Sequence, residues 1–449
     1  MVDVTTKIVS FLYLLIIPFY IGGILFSEEM TLDLARDYAL KNSTTMKLAT
    51  EEKKIAYSQS VEARSAALPM LSGIASGSRN FMIAEQMVKF GDQPPVSIKF
   101  GQENQAVYGL SATQTIFEGR VFSAIRASKV YDNITEFAFK VSTLGVEEKT
   151  ITAFYSALVA VEVMEVMKSS LDRAKSNLEK TLLIFSMGKT SELDKIRAET
   201  NVARRESELI NAKKNSQIAL EYFKRIIGYP ISDELTIIGE LNSGAIFSYN
   251  YEKLQEVMLI NQPAISQAGE TIHLMKENIS AVRSEFIPSL YLTGSYQSLK
   301  TYDDGQFSNE AFRNSQSVSL NLNIPIFKGY GSTARLGKAK AEYRKSQYRH
   351  YDLEENMKLE LKKVLLNLES LGKKIASGGK ELELAQKGHK TAEALLESGR
   401  ISQLDMEDSE LTLMQAELGL LQYKLEYQTS MAALERIIGR KDLTDAYNN

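Results

Sequence analysis

Cysteine is absent from the 449 residues of this chain. Its absence excludes a disulfide framework, a zinc–thiolate centre, a cysteine nucleophile and an anchor built on a lipidated N-terminal cysteine. A large excess of one sign of charge is lacking too, because 53 Lys and Arg residues nearly balance 56 Asp and Glu residues. The resulting net charge of -3 provides no overall field that favours nucleic acid.

Long hydrophobic runs are also lacking, apart from one near the N-terminus. A polytopic helical membrane protein needs several apolar stretches of about 20 residues, whereas only residues 8–26 stand out here. Pro18 and the pair Gly22-Gly23 interrupt this run, which favours a secretory signal peptide over residues 1–27. An inner-membrane anchor is the alternative, because the run approaches spanning length.

Catalytic and metal-binding patterns are lacking as well. The histidines His273, His350 and His389 stand alone on helical stretches, without an H-x-x-x-H or carboxylate-paired spacing. We therefore expect solvated helix positions and not metal ligands. Residues 329–334 match the G-x-G-x-x-A pattern of dinucleotide folds, but the preceding strand carries two asparagines, which a strand buried on both faces should not. The sequence predicts no enzyme activity, no cofactor and no metal site.

The sequence repeats itself after roughly 210 residues. Four landmarks recur in the same order in both halves. They are Leu68-Pro69 and Ile287-Pro288, Ile116-Phe117-Glu118-Gly119 and Ile326-Phe327-Lys328-Gly329, a glycine-containing segment at 186–194 and 397–405, and Arg225-Ile226-Ile227-Gly228 and Arg436-Ile437-Ile438-Gly439. Because chance rarely preserves such an order, we predict two structural repeats after the signal peptide, residues 28–240 and 241–449.

Each repeat is expected to contain the same elements in the same order. A helix of about 35 residues ends before a proline, where helices tend to stop, and two strands follow. A proline-free helix of about 65 residues comes next, on the order of 100 Å long. After a glycine turn, a second long helix ends at Ile-Ile-Gly. The first helices are predicted at 31–67 and 249–286, and the strands at 68–79, 107–117, 288–298 and 318–327.

The last helix carries an apolar seam with the heptad spacing of left-handed coiled coils. The seam consists of Leu411, Met414, Leu418, Leu421 and Leu425. The corresponding residues of the first repeat are Thr200, Ala203, Ser207, Ile210 and Lys214. The seam of the second repeat is much more apolar than the corresponding residues of the first repeat. We therefore expect the two helical hairpins to pack differently.

The strand predicted at 318–327 alternates strictly between apolar and polar residues. One face carries Val318, Leu320, Leu322 and Ile324, and the other carries Ser319, Asn321 and Asn323. A transmembrane barrel strand shows this alternation over about 9–11 residues, apolar toward lipid and polar toward the lumen. A soluble sandwich strand alternates equally well. Four strands cannot close a barrel, and lipid does not tolerate open edges, so the pattern predicts twelve strands in a homotrimer.

On these features the chain resembles the TolC-like outer-membrane efflux proteins, or outer membrane factors. The resemblance covers residues 31–439 and rests on the duplicated halves, the Leu-Pro and Ile-Pro starts of the strands, the Phe-x-Gly ends and two Gly-x-x-Ser-x-Leu-Asp tips. It implies an α+β membrane protein in the cell outer membrane. A trimeric 12-stranded transmembrane β-barrel, four strands per chain, would be continuous with a long α-helical coiled-coil tunnel in the periplasm. It also implies three kinds of partner: a periplasmic adaptor (membrane-fusion protein), an inner-membrane pump (RND, ABC or similar) and outer-membrane lipid.

The two helix tips are the docking site that the resemblance implies for the adaptor. The tip residues are Gly188, Thr190 and Ser191 in the first repeat, and Gly399, Arg400, Ile401 and Ser402 in the second. The family often has a basic residue where this chain has Ile401, so the resemblance does not extend to an inter-helix latch at that position. A purely structural role is the alternative, because both tips fit the helix-capping box.

The gate that the resemblance implies lies one turn beyond the second tip. Asp405 and Asp408 are three residues apart and share a helix face, and they match the paired acids that ring the periplasmic entrance of TolC-like ducts. Six such carboxylates in a trimer would attract cations. Asp194 and Arg197 are the counterparts in the first repeat. The alternative is that acids in a first helical turn complement the helix dipole, typically by about 0.3–1 kcal/mol.

The predicted function is therefore the outer-membrane exit duct of a tripartite efflux or type I secretion system. Such a duct conducts substrate passively, and the pump supplies the energy. A periplasmic or surface coiled-coil scaffold or adhesin without a pore is the alternative. The neutral lumen residues indicate no particular cargo.

Overall fold

The computed structural model of the chain describes residues 28–241, 250–303 and 311–440. The predicted signal peptide lies outside the described residues. The chain divides into two compact units, each assembled from three stretches of sequence. The first unit comprises Met1–Ser43, Lys149–Ser243 and Lys374–Thr429, and the second comprises Thr44–Glu148, Gly244–Lys373 and Ser430–Asn449.

Helices dominate the described residues, and strands occur in three separate sheets. The elements are, in chain order, β1 (Glu28–Met30), α1 (Leu32–Asn42), α2 (Thr44–Ser65), β2 (Met70–Arg79), β3 (Glu85–Val88), β4 (Val96–Lys99), β5 (Asn104–Phe117), α3 (Gly119–Ser186), α4 (Glu192–Ile227), β6 (Leu235–Ile237), α5 (Tyr251–Asn261), α6 (Pro263–Arg283), a 3-10 turn (Ser284–Phe286), β7 (Ser289–Tyr302), β8 (Arg313–Asn323), α7 (Gly331–Glu397) and α8 (Gln403–Ile438).

The long helices have the lengths that the sequence predicts. α3 has 68 residues and α7 has 67, and neither contains a proline that would interrupt its backbone hydrogen bonds. Both helices stop just before a glycine with positive φ, Gly188 and Gly399, each at 70°. α4 and α8 have 36 residues each, so the paired helices of the two hairpins match in length.

α3 also contains an apolar stretch that we did not single out in the sequence. One 18-residue window of α3 has a mean hydropathy of 1.5, and 44% of this window is buried. By length and composition alone, the helix is long and apolar enough to cross a membrane. In the same helix Phe154, Ala157 and Leu158 are buried in the core. The window is weak evidence for a membrane span, because a core helix has the same composition.

The predicted helices at 31–67 and 249–286 are wrong in one respect, since each is two helices. The first breaks at Ser43, whose ψ of 142° is extended although its N–H still donates to the carbonyl of Ala39 at 2.9 Å. The second breaks between Gln262 and Pro263, the first residue of α6. Proline lacks an N–H and suits a first helical position, so the second break has a visible cause in the sequence.

Two glycines pack directly against these breaks. Gly228 follows α4 with φ of 79°, and a Cβ on it would lie 2.5 Å from the carbonyl oxygen of Asn42. Gly439 follows α8 with φ of 75°, and a Cβ there would lie 2.8 Å from the carbonyl oxygen of Asn261. The Ile-Ile-Gly motifs therefore end helices as predicted. Their glycines also let the end of another helix pack directly against the backbone, which a residue with a Cβ would prevent.

The heptad seam of α8 contributes to a core in the first unit. Met414 is buried with Met167, Leu171, Leu209 and Ala212, and Leu411 and Leu418 pack against this cluster. The corresponding residues of α4, Thr200, Ala203, Ser207, Ile210 and Lys214, are all exposed. α4 instead buries Ala198, Asn201, Arg205, Leu209 and Ala212. The two hairpins pack differently, as we predicted from the sequence.

β2, β5, β7 and β8 form one antiparallel sheet in that order. A transverse row runs from Leu71 to Ala112, Gly294 and Val318, each residue facing the next across a strand pair. Two further two-stranded sheets were not expected from the sequence. β1 pairs with β6 in parallel, and β3 pairs with β4 in antiparallel orientation.

The four predicted strands are present, but the fourth is misplaced. β8 runs from Arg313 to Asn323, whereas the alternation predicted 318–327. The strand ends early because Pro325 has no N–H to donate to a neighbouring strand. Ile324, predicted on the apolar face of the strand, therefore lies beyond its end.

Candidate functional site: a two-faced sheet and two helix tips

One face of the four-stranded sheet is apolar and exposed. Val318, Leu320 and Leu322 are 79%, 67% and 61% exposed. Opposite them on β7 lie Gly294, Leu292 and Leu290. A soluble protein rarely exposes a contiguous patch of such side chains, so this face needs a covering of lipid or protein.

The other face of the sheet is polar and hydrogen-bonded across strands. The amide of Asn321 donates to the hydroxyl of Thr293 at 2.6 Å, and the same hydroxyl donates to the carbonyl oxygen of Ser319 at 3.4 Å. Asn323 pairs with Ser289 in the same register. The three predicted lumen residues, Ser319, Asn321 and Asn323, thus lie together on the face opposite the apolar side chains.

Both outer strands of this sheet have an open edge within the described residues. β2 pairs with β5 alone, and β8 pairs with β7 alone. An open edge presents a row of unpaired N–H and C=O groups to any further strand. Together with the apolar face, these edges make the sheet incomplete by itself.

A charged cluster at Glu285 joins the sheet to two long helices in the second unit. Its carboxylate accepts hydrogen bonds from Arg335 at 2.6 Å, from Ser332 at 2.9 Å and from Arg120 at 3.2 Å. The Arg335 guanidinium, chiefly, lowers the pKa of Glu285 to about 2. Gly119 leaves room for this join, because a Cβ on it would lie 2.6 Å from that of Ser284.

The first helix tip is built by a reciprocal capping box. The N–H of Asp194 donates to the Ser191 hydroxyl at 3.2 Å, and the Ser191 N–H donates to the Asp194 carboxylate at 3.3 Å. The hydroxyl of Thr190 donates to the same carboxylate at 3.0 Å. The Ser191 hydroxyl, above all, lowers the pKa of Asp194. Arg197 lies 3.9 Å from that carboxylate, so the two predicted gate residues of the first repeat form an ion pair.

The second helix tip repeats this arrangement. The Ser402 N–H donates to the Asp405 carboxylate at 2.9 Å, and the Asp405 N–H donates to the Ser402 hydroxyl at 3.3 Å. The Ser402 hydroxyl is the main cause of the lowered pKa of Asp405. Asp405 and Asp408 are both exposed, whereas Ile401 is half-buried beside the exposed Gly399 and Arg400. The structure thus places both acids on the surface of α8 within two turns of the tip.

Polar residues that the sequence analysis missed are buried above the tips in the first unit. Glu410 is only 2% exposed, and it accepts a hydrogen bond from Ser170 of α3 at 2.9 Å. Lys180 is only partly buried, and it donates to Glu393 and Glu397 of α7, which are more exposed, at 2.7 Å each. The helical spacing of apolar residues predicts which face of a helix is buried. It cannot reveal positions such as Glu410, because there a polar side chain lies on the buried face.

Two of the three histidines differ from expectation. His389 is buried and not solvated, its Nδ1 lies 3.4 Å from the Ser409 hydroxyl, and burial lowers its pKa. His350 does have a carboxylate at helical spacing, Glu354, at 3.5 Å. Among the described residues, no group of three or more His, Cys, Asp or Glu side chains could hold a metal ion.

Comparison with known proteins gives one family. The model of the family described as "Outer membrane efflux protein" matches residues 35–229 and 254–440. The alkaline protease secretion protein AprF of Pseudomonas aeruginosa is 21% identical over 91% of this chain and 84% of AprF. The outer membrane protein TolC of Escherichia coli is 21% identical over 77% of this chain and 72% of TolC.

A solved structure has the same fold. The CmeC outer membrane channel of Campylobacter jejuni is 20% identical, with a TM-score of 0.77 over 91% of this chain and 85% of CmeC. At this identity the likeness establishes the fold alone. The helices and strands described above therefore follow an arrangement already seen in an outer membrane channel.

Proposed function

Because the chain belongs to the outer membrane efflux protein family, it is an outer-membrane exit channel for efflux or secretion, and we propose that it conducts passively as a homotrimer. The family is one of transport proteins and not of enzymes. The observation that carries the proposal is the incomplete sheet, with one apolar face, one polar face and two open edges.

In this proposal three copies complete each other's sheets. β8 of one copy pairs with β2 of the next, so that three four-stranded sheets close into a barrel of twelve strands and no edge meets lipid. Val318, Leu320 and Leu322 then contact lipid, and Ser319, Asn321 and Asn323 line the lumen. The exposure of the apolar side chains in the single chain supports this assignment.

We also propose that the chain arose by internal duplication, with repeats at 28–240 and 241–449. Support comes from features that occupy equivalent places in both halves. Each half contains a broken first helix, a glycine packed against the break and a Ser-x-x-Asp capping box. The second repeat includes residues outside the described ranges.

The helix tips are proposed to receive a periplasmic adaptor that links the channel to an inner-membrane pump. Gly188, Thr190 and Ser191 belong to the first tip, and Gly399, Arg400, Ile401 and Ser402 to the second. The exposure of Gly188 and Gly399 supports this role, because nothing lies within 4 Å of a Cβ on either residue. The capping boxes account for Ser191 and Ser402 structurally, so docking is assigned mainly to the exposed glycine turns.

Asp405 and Asp408 are proposed to form an acidic ring at the periplasmic gate, with the Asp194–Arg197 pair beside it in each chain. Three copies would contribute six exposed carboxylates. The Asp405 carboxylate is charged at neutral pH, as aspartate ordinarily is, and its lowered pKa keeps it charged in more acidic solution as well, which supports attraction of cations. Capping explains Asp405 but not Asp408, whose side chain is exposed one turn further along α8.

The test of this function is conductance of the purified protein. The full chain is expected to migrate as a trimer in mild detergent and to raise ion conductance when added to planar lipid bilayers. Heat-dissociated monomers from the same preparation provide the control, because their sheets have lost their neighbours. An intact trimer without conductance would contradict the proposal and would favour a scaffold or adhesin.

A further inference from the structure

One transverse row of the four-stranded sheet consists entirely of serine. Ser72 of β2 lies opposite Ser111 of β5, Ser111 lies opposite Ser295 of β7, and Ser295 lies opposite Ser317 of β8. We call these four residues the serine row. It crosses the whole sheet on the face that also carries Ser319 and Asn321, because these residues follow Ser317 at intervals of two along β8 and alternate residues of a strand point to the same face.

The hydroxyls of the serine row bond in two pairs. The Oγ atoms of Ser72 and Ser111 are 2.7 Å apart, and those of Ser295 and Ser317 are 2.8 Å apart. A hydroxyl has one proton to donate and two lone pairs. Each pair therefore uses one of its two protons internally and keeps one proton and several lone pairs for water or cargo. The row presents a neutral surface that both donates and accepts hydrogen bonds.

The residues around the serine row carry no charge. The rows on either side consist of Ile74, Gly109, Gln297 and Ser315, and of Met70, Thr113, Thr293 and Ser319. Arg313 is the charged residue that the four strands place on this face. It precedes Ser317 by four residues, about 14 Å at roughly 3.4 Å per residue. That distance exceeds the Debye length of about 8 Å in physiological salt, so the field of Arg313 is largely screened at the row.

We propose that the serine row makes the barrel segment of this channel indifferent to the sign of charge. The proposal rests on the proposed function, in which this face of the sheet lines the lumen. Cargo at this level meets hydroxyl groups and the water bound to them, so this level adds no preference of its own to the cation preference of the proposed acidic ring. Three copies contribute twelve serines. Because barrel strands tilt by about 35–45°, the three rows are staggered along the barrel axis.

The absence of native cysteine provides a direct test. Ser317→Cys and Val318→Cys form a matched pair, because neighbouring residues of β8 point to opposite faces. Each variant is assembled, inserted into a planar bilayer and then treated with a membrane-impermeant methanethiosulfonate that carries either a trimethylammonium or a sulfonate group. The thiolate forms a mixed disulfide and releases methanesulfinate, so that charge is added after folding is complete.

Modification of Ser317→Cys is expected to change the K⁺/Cl⁻ permeability ratio, measured from reversal potentials in a salt gradient. The cationic reagent should lower the ratio and the anionic reagent should raise it, each by about two-fold. The two changes should be similar in size, because the starting surface is neutral. Val318→Cys, facing lipid, should remain unmodified and its ratio unchanged.

Complete modification of Ser317→Cys without a change in the ratio would overturn the proposal, and so would equal modification of Val318→Cys. Ser295→Cys supplies the same measurement from the neighbouring strand if Ser317→Cys fails to form trimers. A wild-type trimer that does not conduct would contradict the proposed function and not the role of the serine row. The two failures are therefore distinguishable.

Discussion

Replacement of Glu285 by Gln tests the charged join between the sheet and the long helices. Glu285 is 10% exposed, and its carboxylate accepts from both Nε and Nη2 of Arg335 as well as from Ser332 and Arg120. Glutamine keeps the shape and one acceptor oxygen but removes the charge. The variant therefore weakens two ion pairs without leaving a cavity.

The magnitude follows from the pKa of Glu285, which falls from 4.5 to about 2 in the folded chain. At about 1.4 kcal/mol per pKa unit, such a shift corresponds to about 3.5 kcal/mol at most. Arg335 and Arg120 are 52% and 64% exposed, and solvent screens exposed pairs strongly. We therefore expect a loss of about 1–2 kcal/mol per chain at pH 7.

The pH dependence of this loss has a definite sign. Because the folded-state pKa lies below the unfolded value, the contribution of Glu285 is fully present above pH 4.5 and disappears as the pH falls toward about 2. Urea unfolding of wild type and Glu285→Gln, followed by helical circular dichroism between pH 7 and pH 2.5, measures the difference, since this denaturant is uncharged and does not screen the ion pairs. The difference in the free energy of unfolding between wild type and Glu285→Gln should become steadily smaller below pH 4.5.

A matched control is Glu369→Gln, which breaks an ion pair with Lys373 on the exposed surface of α7. That variant should unfold like wild type throughout, since exposed pairs contribute little. A difference in the free energy of unfolding between wild type and Glu285→Gln that stays constant from pH 7 to pH 2.5 would refute the reasoning about Glu285. The absence of any such difference at pH 7 would refute it equally.

Three further predictions concern the glycines and the gate. Gly228→Ala should destabilise the chain by about 1–3 kcal/mol in thermal or denaturant unfolding, because its Cβ would clash with the carbonyl of Asn42 at positive φ. Gly145→Ala in α3, where no atom lies within 4 Å of the new Cβ, should instead be neutral or stabilising by up to about 1 kcal/mol. The double replacement of Asp405 and Asp408 by Ala should weaken cation selectivity and block by divalent cations from the periplasmic side in single-channel recordings. Unchanged selectivity and block in a stable trimer would exclude the ring. Gly399→Lys should abolish export in cells while trimers persist, and Gly399→Asn, which tolerates positive φ with a shorter side chain, should impair export less. Loss of the trimer in both variants would show that the turn is structural.

The features that the sequence predicted correctly depend on residues close together in the chain. The length of α3 follows from a long stretch without proline, and the turn at Gly188 follows from a glycine next to the Ser191-x-x-Asp194 capping pattern. The polar and apolar faces of β8 follow from alternation over six residues. Local sterics and hydrogen bonding determine each of these features, so a short window of sequence contains the necessary information.

The features that were missed depend on distant residues. The break at Ser43 has no strong local signal, and the tight contact of Asn42 with Gly228 becomes visible only in three dimensions. The start of β8 at Arg313 depends on pairing with Leu299 of β7, because residues 313–317 are uniformly polar and show no alternation. His389 is buried by residues of other helices, which an isolated helical position cannot indicate.

The open edges of the sheet have a genetic consequence. If each copy supplies the strand that its neighbour needs, a variant chain with a damaged β8 edge enters mixed trimers and leaves a seam open in each of them. With equal amounts of normal and variant chains, only about one-eighth of randomly assembled trimers would consist of normal chains alone. Mutations of this edge should therefore behave as dominant, and export should decline far below half even while half of the chains are normal.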